Sequence, residues 1–87
     1  MNIEIINNLI NDSTWSTRDN KAVYRFENGK DVYINNNTHY NYAINYTNDK
    51  IVIMLGVTKK YYVNYINDFK LELYNTNEKF TLMPESN

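Results

Sequence analysis

Lys60-Tyr61-Tyr62-Val63-Asn64-Tyr65-Ile66-Asn67-Asp68-Phe69-Lys70-Leu71-Glu72-Leu73 decides the fold of this chain. Two runs flank Asn67-Asp68, and along them side chains alternate with a period of two. That period marks extended strands, and the Asn-Asp pair between them is turn chemistry. The segment reads as a β-hairpin, with one strand from Lys60 to Ile66 and a second from Phe69 to Leu73. In the second strand Leu71 and Leu73 face one way and Lys70 and Glu72 the other. In the first, Tyr61, Val63 and Tyr65 share a face and Tyr62 and Ile66 share the opposite one, so both faces are apolar.

The same grammar extends in both directions. Downstream, Asn75-Thr76-Asn77 precedes a strand from Glu78 to Met83 with Phe80 and Leu82 inward, and Pro84 ends it. Upstream, Ile51-Val52-Ile53-Met54-Leu55 is apolar on both faces, which calls for cover on both, from a helix or a second subunit. Gly56 then marks a bulge or sharp bend. Before the Asn48-Asp49 turn, Tyr40, Tyr42, Ile44 and Tyr46 alternate with Asn41, Ala43 and Asn45. Lys21 to Glu27 places Ala22, Tyr24 and Phe26 on one face. Asn28-Gly29 follows as a type I′ turn, because both central positions need positive φ. Lys30 to Asn35 carries Val32 and Ile34 in phase, and Asn35 to Thr38 reads as a wider polar loop. The first strand, Ser13 to Thr17, turns Trp15 and Thr17 inward.

Only the start differs. Ile3, Ile6 and Ile10 recur at helical spacing with Ile5 and Leu9 beside them, while Asn7, Asn8 and Asn11 fall opposite. This predicts a short amphipathic helix over about 3–11. Its isoleucines and asparagines form helix poorly alone, so it needs a docking surface: an open end or face of the sheet, or a partner's groove. No internal helix of crossover length remains, which excludes parallel strand connections. The chain is expected to be all-β, an antiparallel up-and-down meander of about eight short strands over about 14–83. These form a curled sheet or small barrel, with the helix in front, in one domain across residues 1–87.

Composition narrows the function classes. With no cysteine, neither disulfides nor a Cys-based metal site is available. A net charge of −1 argues against a nucleic-acid partner, which needs a basic stripe. No apolar run approaches the length of a membrane span. Met1-Asn2-Ile3-Glu4 lacks the positive start of a leader, so the chain as written is expected in the cytoplasm. A leader removed upstream would instead make it secreted or periplasmic. Asn, Ile, Lys and Tyr are all abundant here and all have AT-rich codons, which explains most of the asparagine excess.

Three stretches resemble small bacterial lipocalin-like domains. Leu9-Ile10-Asn11-Asp12-Ser13-Thr14-Trp15 is similar to their opening, where a short helix runs into a strand bearing tryptophan. Tyr24-Arg25-Phe26-Glu27-Asn28-Gly29 resembles an aromatic strand entering a tight turn. Tyr62 to Ile66 followed by Phe69 to Leu73 resembles their alternating penultimate hairpin. The resemblance spans nearly the whole chain and implies a calycin-type barrel without implying a particular ligand. The sequence departs from the family at Ser13, where a glycine usually stands two residues before the tryptophan, and in lacking the family's leader.

Catalytic chemistry has little to work with. His39 is the only histidine and stands beside the Asn-rich loop, and no serine sits in a glycine elbow. Asp12, Asp19, Asp31, Asp49 and Asp68 mostly occupy turns, where side-chain to backbone hydrogen bonds account for them. Glu72 faces outward beside Lys70, across from Lys79 or Lys60. No set of His, Asp and Glu has metal-ligand spacing, and no cofactor is implied. The expectation is a non-catalytic binding module. Two versions follow from the nine tyrosines. In the leading one, Val52, Met54, Tyr61, Val63 and Tyr65 form an outward apolar surface for a protein partner or a second copy of the chain. In the alternative, Trp15, Tyr24, Phe26, Tyr40 and Tyr42 line a barrel pocket for a small apolar or amphipathic ligand.

Overall fold

The computed structural model describes residues 3–85. Met1 and Asn2, the start of the segment read for a leader, lie outside the described residues. One helix, α1 (Ile3–Ile10), is followed by β1 (Thr14–Thr17), β2 (Val23–Glu27), β3 (Asp31–Ile34), β4 (Thr38–Thr47), β5 (Lys50–Leu55), β6 (Lys59–Asn67), β7 (Lys70–Tyr74) and β8 (Lys79–Pro84). Each strand pairs antiparallel with the next, and β8 pairs with β1 to close an eight-stranded barrel in meander order. Closure leaves no unpaired edge among the described strands, which a short-stranded open sheet would expose to other chains. The architecture is consistent with a calycin-like barrel.

The turns explain where many of the asparagines and aspartates go. Among the described residues every non-glycine with positive φ is one of the two: Asp12, Asn20, Asn28, Asn35, Asn36, Asn48 and Asp49. Their short polar side chains tolerate the left-handed region better than others do. Asn28-Gly29 forms the expected turn, with Lys30 N–H donating to the Glu27 carbonyl at 3.2 Å. Asn35-Asn36 forms another, with Asn37 N–H on the Ile34 carbonyl at 3.2 Å. The wider loop expected at Asn35 to Thr38 is therefore a tight hairpin, because both central asparagines accept positive φ.

Register fixes which face looks inward. Trp15 lies opposite Tyr24, Phe26 opposite Val32, Ile53 opposite Tyr61, and Leu73 opposite both Val63 and Phe80. Residues directly opposite one another share a face. The buried interior consequently gathers Trp15, Phe26, Val32, Tyr42, Ile51, Ile53, Leu55, Tyr61, Leu71, Leu73 and Leu82, with Ile6 and Ile10 from the helix. Up-and-down order sorts the connections to two ends. The β2–β3, β4–β5 and β6–β7 turns share one end with α1, and the β1–β2, β3–β4, β5–β6 and β7–β8 turns form the other, the mouth.

α1 plugs its end with Ile6 and Ile10, which settles the choice left open between covering the barrel and filling a partner's groove. The link into β1 turns on the residue that departs from the lipocalin-like pattern. Ser13 Oγ lies within hydrogen-bonding reach of the Leu9 and Ile10 carbonyls, at 2.7 and 2.5 Å, and accepts from Trp15 Nε1 at 2.8 Å. One hydroxyl thus satisfies the helix terminus and holds the indole. The preceding Asp12 takes positive φ, and its carboxylate accepts from Asn28 N–H at 2.8 Å, fastening the helix exit to the β2–β3 turn.

Candidate functional site

The outward stripe expected on Tyr61, Val63 and Tyr65 is reversed by register. Tyr61 is 4% exposed, and Val63 and Tyr65 are partly buried against the core, because their cross-strand partners Ile51, Ile53, Leu71 and Leu73 all face inward. Tyr62 points outward instead. Val52 does stand on the outer surface, yet it is buried. Its cross-strand neighbours are Asn45 and Tyr62, and the Tyr62 ring is flanked by Lys50 Nζ at 5.2 Å and Lys60 Nζ at 5.3 Å. Long aliphatic stems over an aromatic ring shield an apolar neighbour well. The cover that this strand demands thus comes from the barrel's own side chains. Of the five residues, only Met54 remains outward and partly accessible.

All five residues expected to line a pocket do face inward, but they separate by depth. Trp15, Phe26 and Tyr42 are buried core at the helix side, with Phe26 and Tyr42 in edge-to-face contact at 5.0 Å. Tyr24 and Tyr40 are partly accessible. Tyr40 packs close to Gly56, where φ is 66° and a Cβ would come within 3.1 Å of Tyr40 Cδ1, so a side chain there would be strained and would have to displace the ring. Gly56 is a turn residue at the mouth, where a bulge or bend was expected.

A broad concavity opens beside Tyr24. It measures about 540 Å³ and lies between the Thr17–Ala22 hairpin and the start of β8, floored by Tyr24 and Phe80. These two rings stack at 6.0 Å and 8°, and Phe80 meets Tyr61 edge-on at 5.3 Å. Both walls are stiffened by hydrogen bonds. Asp19 accepts from the Thr17 hydroxyl at 2.7 Å and from Lys21 N–H at 3.1 Å, and these two bonds hold its carboxyl below the ordinary value. Across the cleft, Asn75 Oδ1 accepts from the Asn77 and Glu78 amides at 2.8 and 2.9 Å, while its Nδ2 donates to the Lys60 carbonyl at 3.1 Å. Arg18 N–H donates to the Thr81 carbonyl at 3.1 Å and joins the walls.

Glu78 accepts a hydrogen bond from the Tyr61 hydroxyl at 3.3 Å. Burial first, and then the Glu78 charge, pushes the Tyr61 hydroxyl up to about 12. The same two causes in the same order raise Tyr24. Both phenols therefore stay neutral, Tyr24 in the cleft and Tyr61 buried behind it.

The polar groups elsewhere are arranged as surface chemistry. His39 Nε2 meets Asp31 at 2.9 Å on the outside of the barrel and lies against the Tyr33 ring at 4.8 Å, with Arg25 on that ring at 4.7 Å. Glu72 faces Asn64 and Thr81 rather than Lys60 or Lys79, because register sets Lys79 opposite Tyr74. No three His, Asp or Glu side chains gather to hold a metal ion among the described residues. No described helix is long and apolar enough to cross a membrane. Sequence reasoning missed Glu78, Phe80 and the Thr17–Ala22 hairpin as parts of one site. Phe80 was legible as inward, but only the β1–β8 pairing brings the first hairpin beside the last. No protein-family model matches this chain, and no curated protein and no solved structure shows significant similarity to it.

Proposed function

We propose that this chain is a non-catalytic, lipocalin-like binding module that takes a small amphipathic ligand at the mouth of its barrel. The observation that carries this reading is the cleft of about 540 Å³ opening onto the partly accessible Tyr24 and Phe80 rings. Its size falls within the ordinary range for small-molecule sites. Deeper in the barrel, Trp15, Phe26 and Tyr42 occupy the space that a lipocalin-type calyx would leave open, so the site sits at the rim. The order of the two versions expected from sequence reverses, since three of the five residues assigned to a protein contact point into the core. Native mass spectrometry on protein purified without added ligand tests the reading. A monomer with a reproducible extra mass, lost on Tyr24→Ala, is the expected result. A bare monomer whose cleft amides do not shift with any small amphiphile overturns it.

A second reading, self-association or contact with another protein, is favoured by a different surface from the one first expected. Phe69 is 73% exposed and Tyr46 52%, and with Ile66 they lie at the helix-side end of the barrel. A bare dimer in the same spectrum, dispersed by Phe69→Glu, supports that version.

A further inference from the structure

We propose that the mouth cleft selects an organic anion, specifically a small planar aromatic carboxylate, with its ring over Tyr24 and Phe80 and its charge toward Arg18 and Lys79. This rests on the cleft being the ligand site and specifies the chemistry that it accepts. The chain carries a net charge of −1, yet the cleft is lined by three cations, Arg18, Lys21 and Lys79, against two carboxylates, Asp19 and Glu78. Both carboxylates are already engaged, Asp19 by the Thr17 hydroxyl and the Lys21 amide, and Glu78 by the Tyr61 hydroxyl. Arg18 and Lys79 have no ion-pair partner among the described residues. The site therefore presents unneutralised positive charge at its rim and apolar ring surface at its floor.

The floor specifies the rest of the molecule. Tyr24 and Phe80 lie nearly parallel, 8° apart, so their exposed portions favour a flat body more than a branched one. Their wall is built on Arg18, whose amide is held by the Thr81 carbonyl across the β1–β8 seam. This backbone bond sets Arg18 beside the strand that bears Lys79 and Phe80, and both cations line the cleft. A guanidinium offers a planar fork matched to a carboxylate, and an ammonium adds an unshaped positive charge. A cationic ligand would meet three like charges against two carboxylates that already accept hydrogen bonds, so the balance at the cleft disfavours it.

The test uses three probes of one shape, 2-naphthoate, 2-naphthalenemethanol and 2-naphthylmethylammonium, titrated into the full chain by amide chemical-shift mapping. The expected result is that shifts concentrate at Thr17–Ala22 and Glu78–Thr81. Naphthoate should bind at least tenfold tighter than the alcohol, and the ammonium probe weakest of all. Raising the salt should erode the advantage of naphthoate over the alcohol, because exposed charges are screened. Arg18→Gln with Lys79→Gln should weaken naphthoate at least tenfold and leave the alcohol unchanged. Equal binding of all three probes at the cleft, or preference for the ammonium, overturns anion selection while leaving the carrier reading standing. Failure of all three to shift the cleft amides overturns both. The wild-type comparison decides the question even if the double variant folds poorly.

Discussion

Replacing Trp15 with alanine is the sharpest test of how this barrel is held together. The indole is 1% exposed, lies opposite both Tyr24 and Pro84, and donates its N–H to Ser13 Oγ at 2.8 Å and toward the Leu9 carbonyl at 3.3 Å. Truncating a buried tryptophan to alanine costs about 3–5 kcal/mol, and the figure depends on how far the surroundings collapse into the space. Here the walls are a continuous hydrogen-bonded ladder that cannot pinch inward without breaking pairs. Only α1 can settle into the gap, and the same substitution cuts one of its ties. The upper part of the range, about 4–5 kcal/mol, is therefore expected. A chain of 87 residues has roughly 4–13 kcal/mol of stability in all, so the loss approaches the smaller of those values. At about 4–8 °C per kcal/mol the melting midpoint should fall by about 15–40 °C. Urea unfolding followed by far-ultraviolet circular dichroism is the assay, since the substitution removes the only tryptophan. Trp15→Phe keeps most of the ring and loses the N–H, and should cost only about 1–2 kcal/mol. An unchanged midpoint for Trp15→Ala would refute the reasoning, for it would mean that the indole is not part of the packed interior.

Tyr61→Glu with Val63→Glu would be harmless on an outward stripe; with both side chains turned inward the pair should cost on the order of 3 kcal/mol or more and abolish the cooperative thermal transition. Gly56→Ala should destabilise by about 1–2 kcal/mol in a urea melt, since φ is positive and the new methyl meets the Tyr40 ring. Tyr61 ionises near 10 when unfolded and about 12 when folded, so the folded state holds its proton more tightly. Its contribution to stability is full below about pH 10 and is lost as pH rises toward about 12. Tyr61→Phe should flatten that alkaline decline in urea midpoints, and an unchanged slope would remove Tyr61 as its source.

Much of the barrel is local information. The turns at Asn28-Gly29 and Asn48-Asp49, the alternation through Leu71 and Leu73, and the apolar stripe of α1 are each written within a few residues. Strand boundaries, helix and meander order follow because short-range sterics and a period of two need no distant partner. The site was less legible. Tyr24 and Tyr40 were readable as inward aromatic residues, but nothing near them indicates that they stand at the accessible end while Phe26 and Tyr42 are closed off. That difference comes from α1 plugging one end only.

What the sequence by itself determined is therefore the set of strands, their turns and the spacing of their two faces. Only the tertiary structure decided the sign of the ambiguous strands, where period two survives but gives no hint of which side is wet. Tyr61, Val63 and Tyr65 are inward because Ile53, Leu73 and Leu71 opposite them are inward, and Val52 is buried outward beside Tyr62, whose ring carries Lys50 and Lys60. The cleft is a tertiary product in the same sense. Thr17–Ala22 and Glu78–Thr81 lie at opposite ends of the chain, and they meet because a meander of strands with a fixed twist closes when its last strand finds hydrogen-bond partners on its first.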